Sequence, residues 1–147
     1  MPTVETSLKI NNIGLEPVWE VLCDFERYPE VMDDVLEVKC SDIVGPQRST
    51  WKVLLNGSEL TWDEQDIFEP CNRIVFDQIE GDLEVYKGEW RLEQDGNDVL
   101  VTLIVEFDLG IPSLADMLNP IGIKAIKSNS MQMLAAIKNM SAETGKI

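Results

Sequence analysis

The residues with the clearest potential for chemistry lie in the stretch GSELTWDEQDIFEP, residues 57–70. The stretch alternates as a β-strand does, and one predicted face carries Leu60, Trp62, Glu64, Asp66 and Phe68. A core face disfavours carboxylates, and a solvated face disfavours Trp and Phe, so the mixture is typical of neither. It predicts that the acids line a pocket, unless a bulge turns Asp63 or Gln65 inward instead.

Glu64 and Asp66 are the candidate acid–base residues. A carboxylate enclosed without a partner is costly, so it takes up a proton with a raised pKa, finds a partner or keeps contact with water. A neutral acid can donate to a carbonyl oxygen, and a desolvated carboxylate can remove the acidic proton between two carbonyls. Asp66 lies deeper between the aromatic residues, so we predict it as the main proton shuttle, with Glu64 assisting.

The composition limits the classes of protein. The chain has 147 residues, 44% of them hydrophobic, and its 27 acidic residues against 12 Lys and Arg give a net charge of −15. This predicts one folded domain over residues 1–147. The negative field would repel nucleic acid and anionic membranes, and no leader or membrane-spanning apolar run is visible. We therefore expect a cytoplasmic protein that binds neither.

Several catalytic and metal-binding systems are missing from the sequence. Histidine is absent, which removes the usual general base, the Ser-His-Asp and Cys-His systems and the commonest zinc ligand. Cys23, Cys40 and Cys71 are far apart and lack metal or redox spacing, so we expect small structural thiols. The glycines are scattered singly and form no phosphate-binding loop. We predict neither a metal nor a cofactor.

The elements that must position the acids follow in a simple order. Periodicity predicts a strand over 3–12, a helix from residue 15 that Pro29 ends, and a short second helix to Asp34. Six further strands are predicted over 35–44, 47–56, 59–69, 72–80, 84–94 and 98–108, joined by hairpin turns. A long amphipathic helix follows an N-cap at Ser113, with a kink at Pro120 and Gly122. The order predicts an α+β fold, in which a strongly curved antiparallel sheet of seven strands surrounds the long helix and leaves an internal cavity.

Three motifs carry a resemblance to a known family: DFERYPEVM at 24–32, GDLEVYKGEWRL at 81–92 and VEFDLGIP at 105–112. The chain resembles the polyketide cyclase/dehydrase branch of the START-like, helix-grip superfamily over about residues 4–138. The resemblance implies the helix-grip fold. It does not settle function, because relatives include aromatase/cyclases, quinone-binding proteins and lipid or hormone carriers.

The resemblance also implies which strand faces line the cavity, and the alternation agrees. Residues predicted to contact a ligand are Trp51, Trp62, Phe68, Phe76, Gln78, Trp90, Leu103, Met117 and Ile121. Tyr86 joins Glu64 and Asp66 as a candidate catalytic residue, because its hydroxyl and the Gln78 amide can orient a carbonyl. Tyr86 fits equally well as amphipathic filling at the pocket mouth.

The sequence departs from the resemblance at the positions expected to do the chemistry. The family's aromatase/cyclases carry an Arg near the position of Asp66 and a Tyr near that of Val35. Arg48, Arg73 and Arg91 are all predicted to face outward. A cyclase built on this chain would therefore rely on carboxylate, Tyr and Gln side chains.

Two functions follow from the resemblance, and the sequence leaves open whether the protein is an enzyme. The first is a polyketide cyclase/aromatase that binds a poly-β-ketone or aromatic intermediate and promotes aldol closure and dehydration. The second is a carrier or sensor of a quinone or lipid; a weaker third is a stress-related protein that acts on a partner through its surface. Lys124, Lys127 and Lys138 are the candidate docking residues for an acyl-carrier protein, although lysines that solvate a helix face fit as well. Either a monomer or a homodimer is expected.

Overall fold

Seven antiparallel strands form one sheet in the order β1-β7-β6-β5-β4-β3-β2. The computed structural model describes residues 1–41 and 47–144. The strands are β1 (Thr3–Ile10), β2 (Val35–Cys40), β3 (Gln47–Leu55), β4 (Ser58–Glu69), β5 (Arg73–Gly81), β6 (Val85–Asp95) and β7 (Asp98–Asp108). The predicted curved seven-stranded sheet is confirmed. The far end of the second predicted strand, over 42–44, lies outside the described residues.

Three α-helices accompany the sheet: α1 (Leu15–Cys23), α2 (Tyr28–Val31) and α3 (Ala115–Thr144). The two short helices and the long C-terminal helix confirm the predicted helix-grip fold. The prediction that Pro29 ends α1 is wrong, because α1 already ends at Cys23. Pro29 lies in the first turn of α2, where its missing N–H costs nothing. Ser113 lies within a short 3₁₀ turn, Pro112–Leu114, that precedes α3.

The buried face of α3 begins at Ile126. The buried residues follow a helical stripe: Ile126, Asn129, Ser130, Met133, Leu134, Ala136, Ile137, Met140 and Ser141. Pro120 lies inside α3, which continues beyond it. A Cβ on Gly122 would lie 2.8 Å from Phe107 Cε2, so α3 approaches β7 closely at this glycine.

The concave face of the sheet carries the alternating residues that were predicted to point inward. Trp51, Trp62, Phe76 and Trp90 are each at most 5% exposed. The β4–β5 pairing shifts by one residue between Asp63 and Glu64, and the extra residue is Ile79 of β5, which is 48% exposed. Because β5 absorbs the bulge, β4 keeps its alternation and both acids remain inward. Among the described residues, no helix is long and apolar enough to span a membrane.

Candidate functional site

The interior between the sheet and α3 contains a small cavity. Its volume is about 20 Å³, which is room for about one water molecule. The lining residues are Trp51, Val53, Trp62, Glu64, Phe76, Tyr86, Trp90 and Leu103 from the strands, and Asn129 and Met133 from α3. Half of the lining residues are therefore aromatic, and Glu64 and Asn129 are the polar residues among the rest.

Glu64 and Asp66 form a buried carboxyl pair on β4, with exposures of 3% and 1%. Trp62 Nε1 donates to Glu64 Oε1 at 2.7 Å, and Ser49 Oγ donates to Asp66 Oδ2 at 2.5 Å. Ser49 Oγ in turn accepts from Trp51 Nε1 at 2.8 Å. Two tryptophan N–H groups thus hold the pair, one directly and one through a hydroxyl. Asp66 Oδ1 is buried and has no hydrogen-bond partner in the described part of the chain.

The two carboxyl groups are protonated more readily than exposed ones. Burial raises the pKa of Glu64 well above its usual range, and the hydrogen bond and negative charge of Asp66 raise it further. Burial also raises the pKa of Asp66, against the lowering effect of hydrogen bonds from Glu64 and Ser49. The pair therefore retains a proton at pH values where exposed carboxyl groups are ionised, and it can act as both acid and base.

Stacked and tilted rings connect the acids to the rest of the interior. The rings of Trp51 and Trp62 are parallel, with centroids 6.0 Å apart, and Tyr86 lies 4.5 Å from Trp62 and 5.6 Å from Phe76. Burial and the charge of Glu64 raise the pKa of the Tyr86 phenol, so it stays protonated as a hydrogen-bond donor.

A larger apolar chamber lies directly outside the aromatic cavity. Its volume is about 190 Å³, and its lining includes Leu55, Leu60, Leu83, Leu109 and Ile126. Leu55 and Leu60 are two residues away from Val53 and Trp62 on the same strand faces, and Ile126 is one helical turn before Asn129. We call this chamber the mouth; it shares Asn56, Ile121 and Ala125 with a groove of about 530 Å³ beside Lys124.

The structure brings most of the predicted site residues together. Glu64, Tyr86, Trp51, Trp62, Phe76, Trp90 and Leu103 line the cavity, and Asp66 lies behind Glu64. Val35, at the position where the resemblance implies a Tyr, is buried.

Four predicted ligand-contacting residues lie elsewhere. Phe68 packs against Trp19 and Phe25 at the α1 side, with ring centroids 6.3 and 5.7 Å away. Gln78 Nε2 donates to Leu83 O at 2.7 Å and so ties down the β5–β6 loop.

Met117 and Ile121 do not line the aromatic cavity, and their contact with a ligand stays a prediction. Met117 is 68% exposed, and Ile121 is 50% exposed on the rim of the mouth. Both belong to the first half of α3, which extends past the inner face of the sheet. The helical period correctly predicts which residues share a stripe, but not where along the helix that stripe becomes buried.

Ser49, Asn129 and Met133 belong to the site although the sequence analysis did not single them out. Asn129 carried a readable signal, because it is a polar residue on the apolar stripe of a helix, three residues after Ile126 and four before Met133. Ser49 lies two residues before Trp51 on the same strand face. Neither signal identifies the acid pair as the neighbour, since Glu64 and Asp66 lie on another element, β4.

No positive charge lines the cavity in the described part of the chain. Arg73 pairs with Glu69 and, at 3.8 Å, with Glu89, while Arg91 lies 3.4 Å from Glu89, all on the outer face of the sheet. Arg48 is exposed opposite Gln65. The outward direction predicted for these arginines is confirmed.

The cysteines and the acids offer little to a metal. Burial raises the pKa of the Cys23 thiol to about 12 and that of Cys40 to about 11, so both stay protonated. Over residues 1–41 and 47–144, no cluster of three or more His, Cys, Asp or Glu is placed to hold a metal ion.

The family of the chain follows from its sequence profile. The profile of the family described as "polyketide cyclase / dehydrase and lipid transport" matches residues 14–134, from just before α1 to the inner face of α3. The chain belongs to this family. Comparison with curated protein sequences finds no significant match.

Solved structures similar to this member of the polyketide cyclase/dehydrase family share its fold. TTHA0849 from Thermus thermophilus has a TM-score of 0.89 at 23% identity, over 99% of this chain and 100% of that one. The Zhui aromatase/cyclase from Streptomyces sp. R1128 has a TM-score of 0.81 at 20% identity, over 97% and 94%. A START superfamily protein from Mycobacterium smegmatis has a TM-score of 0.76 at 14% identity, over 96% and 97%. At these identities the likeness is one of fold.

Proposed function

We propose that the protein binds a hydrophobic ketone, of the poly-β-ketone or aromatic-intermediate class, and promotes its intramolecular aldol cyclisation and dehydration. The observation that carries the proposal is the Glu64–Asp66 pair, buried behind an aromatic cavity and retaining a proton. Such a pair supplies the acid and the base that aldol chemistry needs without histidine or metal.

The proposed reaction uses the pair twice. In its ionised form, one carboxylate of the pair removes the proton from a carbon between two carbonyls, and the electron pair of the C–H bond moves to the carbonyl oxygen as an enolate. The enolate carbon then bonds to a second ketone carbon, whose oxygen takes up a proton from the pair. In dehydration a second C–H proton goes to the carboxylate, and the departing hydroxyl leaves as water with a proton from the acid. The aromatic walls contribute by holding the chain folded.

Binding requires the interior to open. Ligand sites of this kind hold about 300–1,000 Å³, whereas the aromatic cavity measures about 20 Å³ and the mouth about 190 Å³. We expect a ligand to enter through the mouth and displace Met133 and the ring of Tyr86, which line the aromatic cavity together with Glu64. Met is well suited to this, because its unbranched side chain changes rotamer easily.

The experiment compares Asp66→Asn and Glu64→Gln with Asp63→Asn, an outward-facing acid on the same strand. The probe is an aryl 1,3,5-triketone, with cyclised product followed by absorbance and binding followed by tryptophan fluorescence. We expect both inward variants to lose at least about tenfold in rate, equivalent to about 1.4 kcal/mol of transition-state stabilisation, while binding and Asp63→Asn stay unchanged. Wild-type rates in both inward variants would contradict the proposal.

A carrier or sensor of a hydrophobic carbonyl compound, such as a quinone, is the second candidate. The specific observation in its favour is that no cation lines the described cavity, so nothing positive would polarise a substrate carbonyl. For a carrier, the triketone probe would bind and leave unchanged, and Asp66→Asn would alter affinity alone.

For the cyclase, the lysines of α3 are the proposed docking residues for an acidic acyl-carrier protein. All three are exposed, but only Lys124 borders the groove at the mouth. Lys138 lies 14 residues further along α3, about 21 Å away along the helix axis. We therefore assign the docking role to Lys124 and Lys127, and a charge reversal at Lys124 should weaken delivery of a carrier-bound chain while leaving the free probe unaffected.

A further inference from the structure

Asn129 is a buried amide that the fold leaves unpaired. It lies on the inner face of α3, is 6% exposed, and lines the aromatic cavity opposite the strands that carry Glu64 and Tyr86. Its Nδ2 atom is buried and has no hydrogen-bond partner among the described residues. Native proteins pair nearly all buried donors, because an unpaired one costs about 1–3 kcal/mol. An unpaired donor on a residue that lines a cavity therefore points to something that binds there.

None of the other described polar groups of the cavity accepts a hydrogen bond from Asn129 Nδ2. Glu64 Oε1 accepts from Trp62 Nε1, and Asp66 Oδ2, behind Glu64, accepts from Ser49 Oγ. Burial keeps the Tyr86 phenol protonated, so its hydroxyl can donate as well as accept. The remaining walls are Trp, Phe, Val, Leu and Met side chains, which offer no strong acceptor. What Asn129 lacks is an acceptor oxygen.

We infer that Asn129 donates a hydrogen bond to a neutral ketone or quinone-type carbonyl oxygen of the ligand and thereby turns the adjacent carbon toward Glu64 and Asp66. This inference rests on the proposed function and names the group by which the site holds its substrate. A carboxylate ligand is disfavoured, because the cavity presents the acid pair and no described cation. A hydrocarbon would leave the amide unpaired.

The same bond would contribute to the chemistry. When the pair removes the neighbouring C–H proton, the electron pair moves onto the carbonyl oxygen, whose negative charge strengthens the hydrogen bond from Nδ2. Asn129 would therefore stabilise the enolate more than the ketone. As it contacts the reacting carbonyl, it would be a catalytic residue in the cyclase and a specificity residue in a carrier.

The test uses two probes of matched shape, 2-acetylnaphthalene and 2-ethylnaphthalene, with binding measured by tryptophan fluorescence. We expect the wild-type protein to prefer the ketone by about tenfold or more, the value of one well-made buried hydrogen bond. Asn129→Leu should abolish that preference and leave the hydrocarbon affinity the same or higher. Asn129→Ala provides the same comparison in a smaller side chain, and Asn139→Leu, on the exposed face of α3, is the matched control.

A spectroscopic readout separates hydrogen bonding from a general structural effect. The C=O stretch of ¹³C-labelled 2-acetylnaphthalene should shift to lower frequency on binding to the wild type and return toward its value in apolar solvent in both Asn129 variants. An unchanged ketone preference and an unchanged stretch in those variants would overturn the inference. If the acid pair proves inactive toward the triketone, the proposed cyclase function fails but the inference about Asn129 stands. Asp66→Asn should keep the ketone preference whether or not the pair is catalytic.

Discussion

Ser49 lies opposite Glu64 in the β3–β4 register, yet its hydroxyl donates to Asp66 Oδ2 at 2.5 Å, diagonally across the two strands. One residue further along, Thr50 Oγ1 donates to Asp63 Oδ1 at 2.8 Å on the opposite face. The two strands thus carry two hydroxyl–carboxylate pairs, one enclosed and one in water. In the enclosed pair, the hydrogen bond from Ser49 lowers the pKa of Asp66. The exposed pair, Thr50 and Asp63, provides a control on the same two strands.

Removal of the Ser49 hydroxyl should raise the pKa of Asp66. The hydrogen bond from Ser49 lowers that pKa against the effect of burial, so Ser49→Ala leaves the burial effect less opposed. The change also leaves Trp51 Nε1 without its acceptor, and we expect a loss of about 1–3 kcal/mol in the free energy of unfolding. Carboxyl ¹³C NMR titration measures the first effect and urea denaturation the second. Thr50→Ala should move neither appreciably, and an Asp66 pKa that stayed constant in Ser49→Ala would contradict the assignment.

Glu64 should make the protein less stable as the pH rises above the acid range. Its pKa is raised in the folded state, so between about pH 4.3, the value for an unfolded chain, and the folded value, the native state binds more protons than the unfolded state. The free energy of unfolding then falls with pH, by at most about 1.4 kcal/mol per pH unit for one such group, and flattens above the folded pKa.

Glu64→Gln should remove this contribution, because glutamine does not titrate. Urea denaturation at pH 5 to 8 should give a smaller loss of stability with pH in the variant than in the wild type. Glu59→Gln, an exposed acid on the same strand, should follow the wild-type slope. If the free energy of unfolding of Glu64→Gln fell with pH as steeply as that of the wild type, the Glu64 carboxyl group would not carry a raised pKa.

Gly88 should be intolerant of any side chain. A Cβ at this position would collide with the backbone oxygen of Ile104 on β7 and lie 3.0 Å from Phe76 Cζ. We expect Gly88→Ala to destabilise the protein by about 3 kcal/mol, because the clash is with backbone that cannot move aside. Thermal unfolding followed by circular dichroism measures the loss. Gly14→Ala meets nothing within 4 Å and should melt within a degree or two of the wild type; equal melting of the two variants would show that β6 and β7 can separate.

The sequence predicts strand faces better than it predicts the site itself. Alternation over β4 was enough to place Glu64 and Asp66 inward, because a face is a local property with a period of two. Which inward residues reach the cavity depends on elements far apart in the chain. Phe68 packs against α1 instead, and Gln78 binds the β5–β6 loop.

The long helix illustrates the same limit in another way. Its stripe is readable from the spacing of apolar residues, but the depth at which α3 lies over the sheet is set by contacts such as Gly122 against Phe107. Met117 and Ile121 are on the apolar stripe and outside the core, whereas Asn129 is polar and inside it. No local period distinguishes these cases, since burial is decided by packing between elements.

The extra residue at Ile79 determines where the sheet can accept an inserted or deleted residue. Because β5 takes up the irregularity on the outer side of the sheet, a residue added or removed there alters pairing at the surface and leaves β4 in phase. An insertion of one residue within β4 itself would rotate every later side chain of that strand, sending Asp66 to solvent and Gln65 to the interior. The strand that carries the acids is thus less able than the bulged end of β5 to accept a change in length.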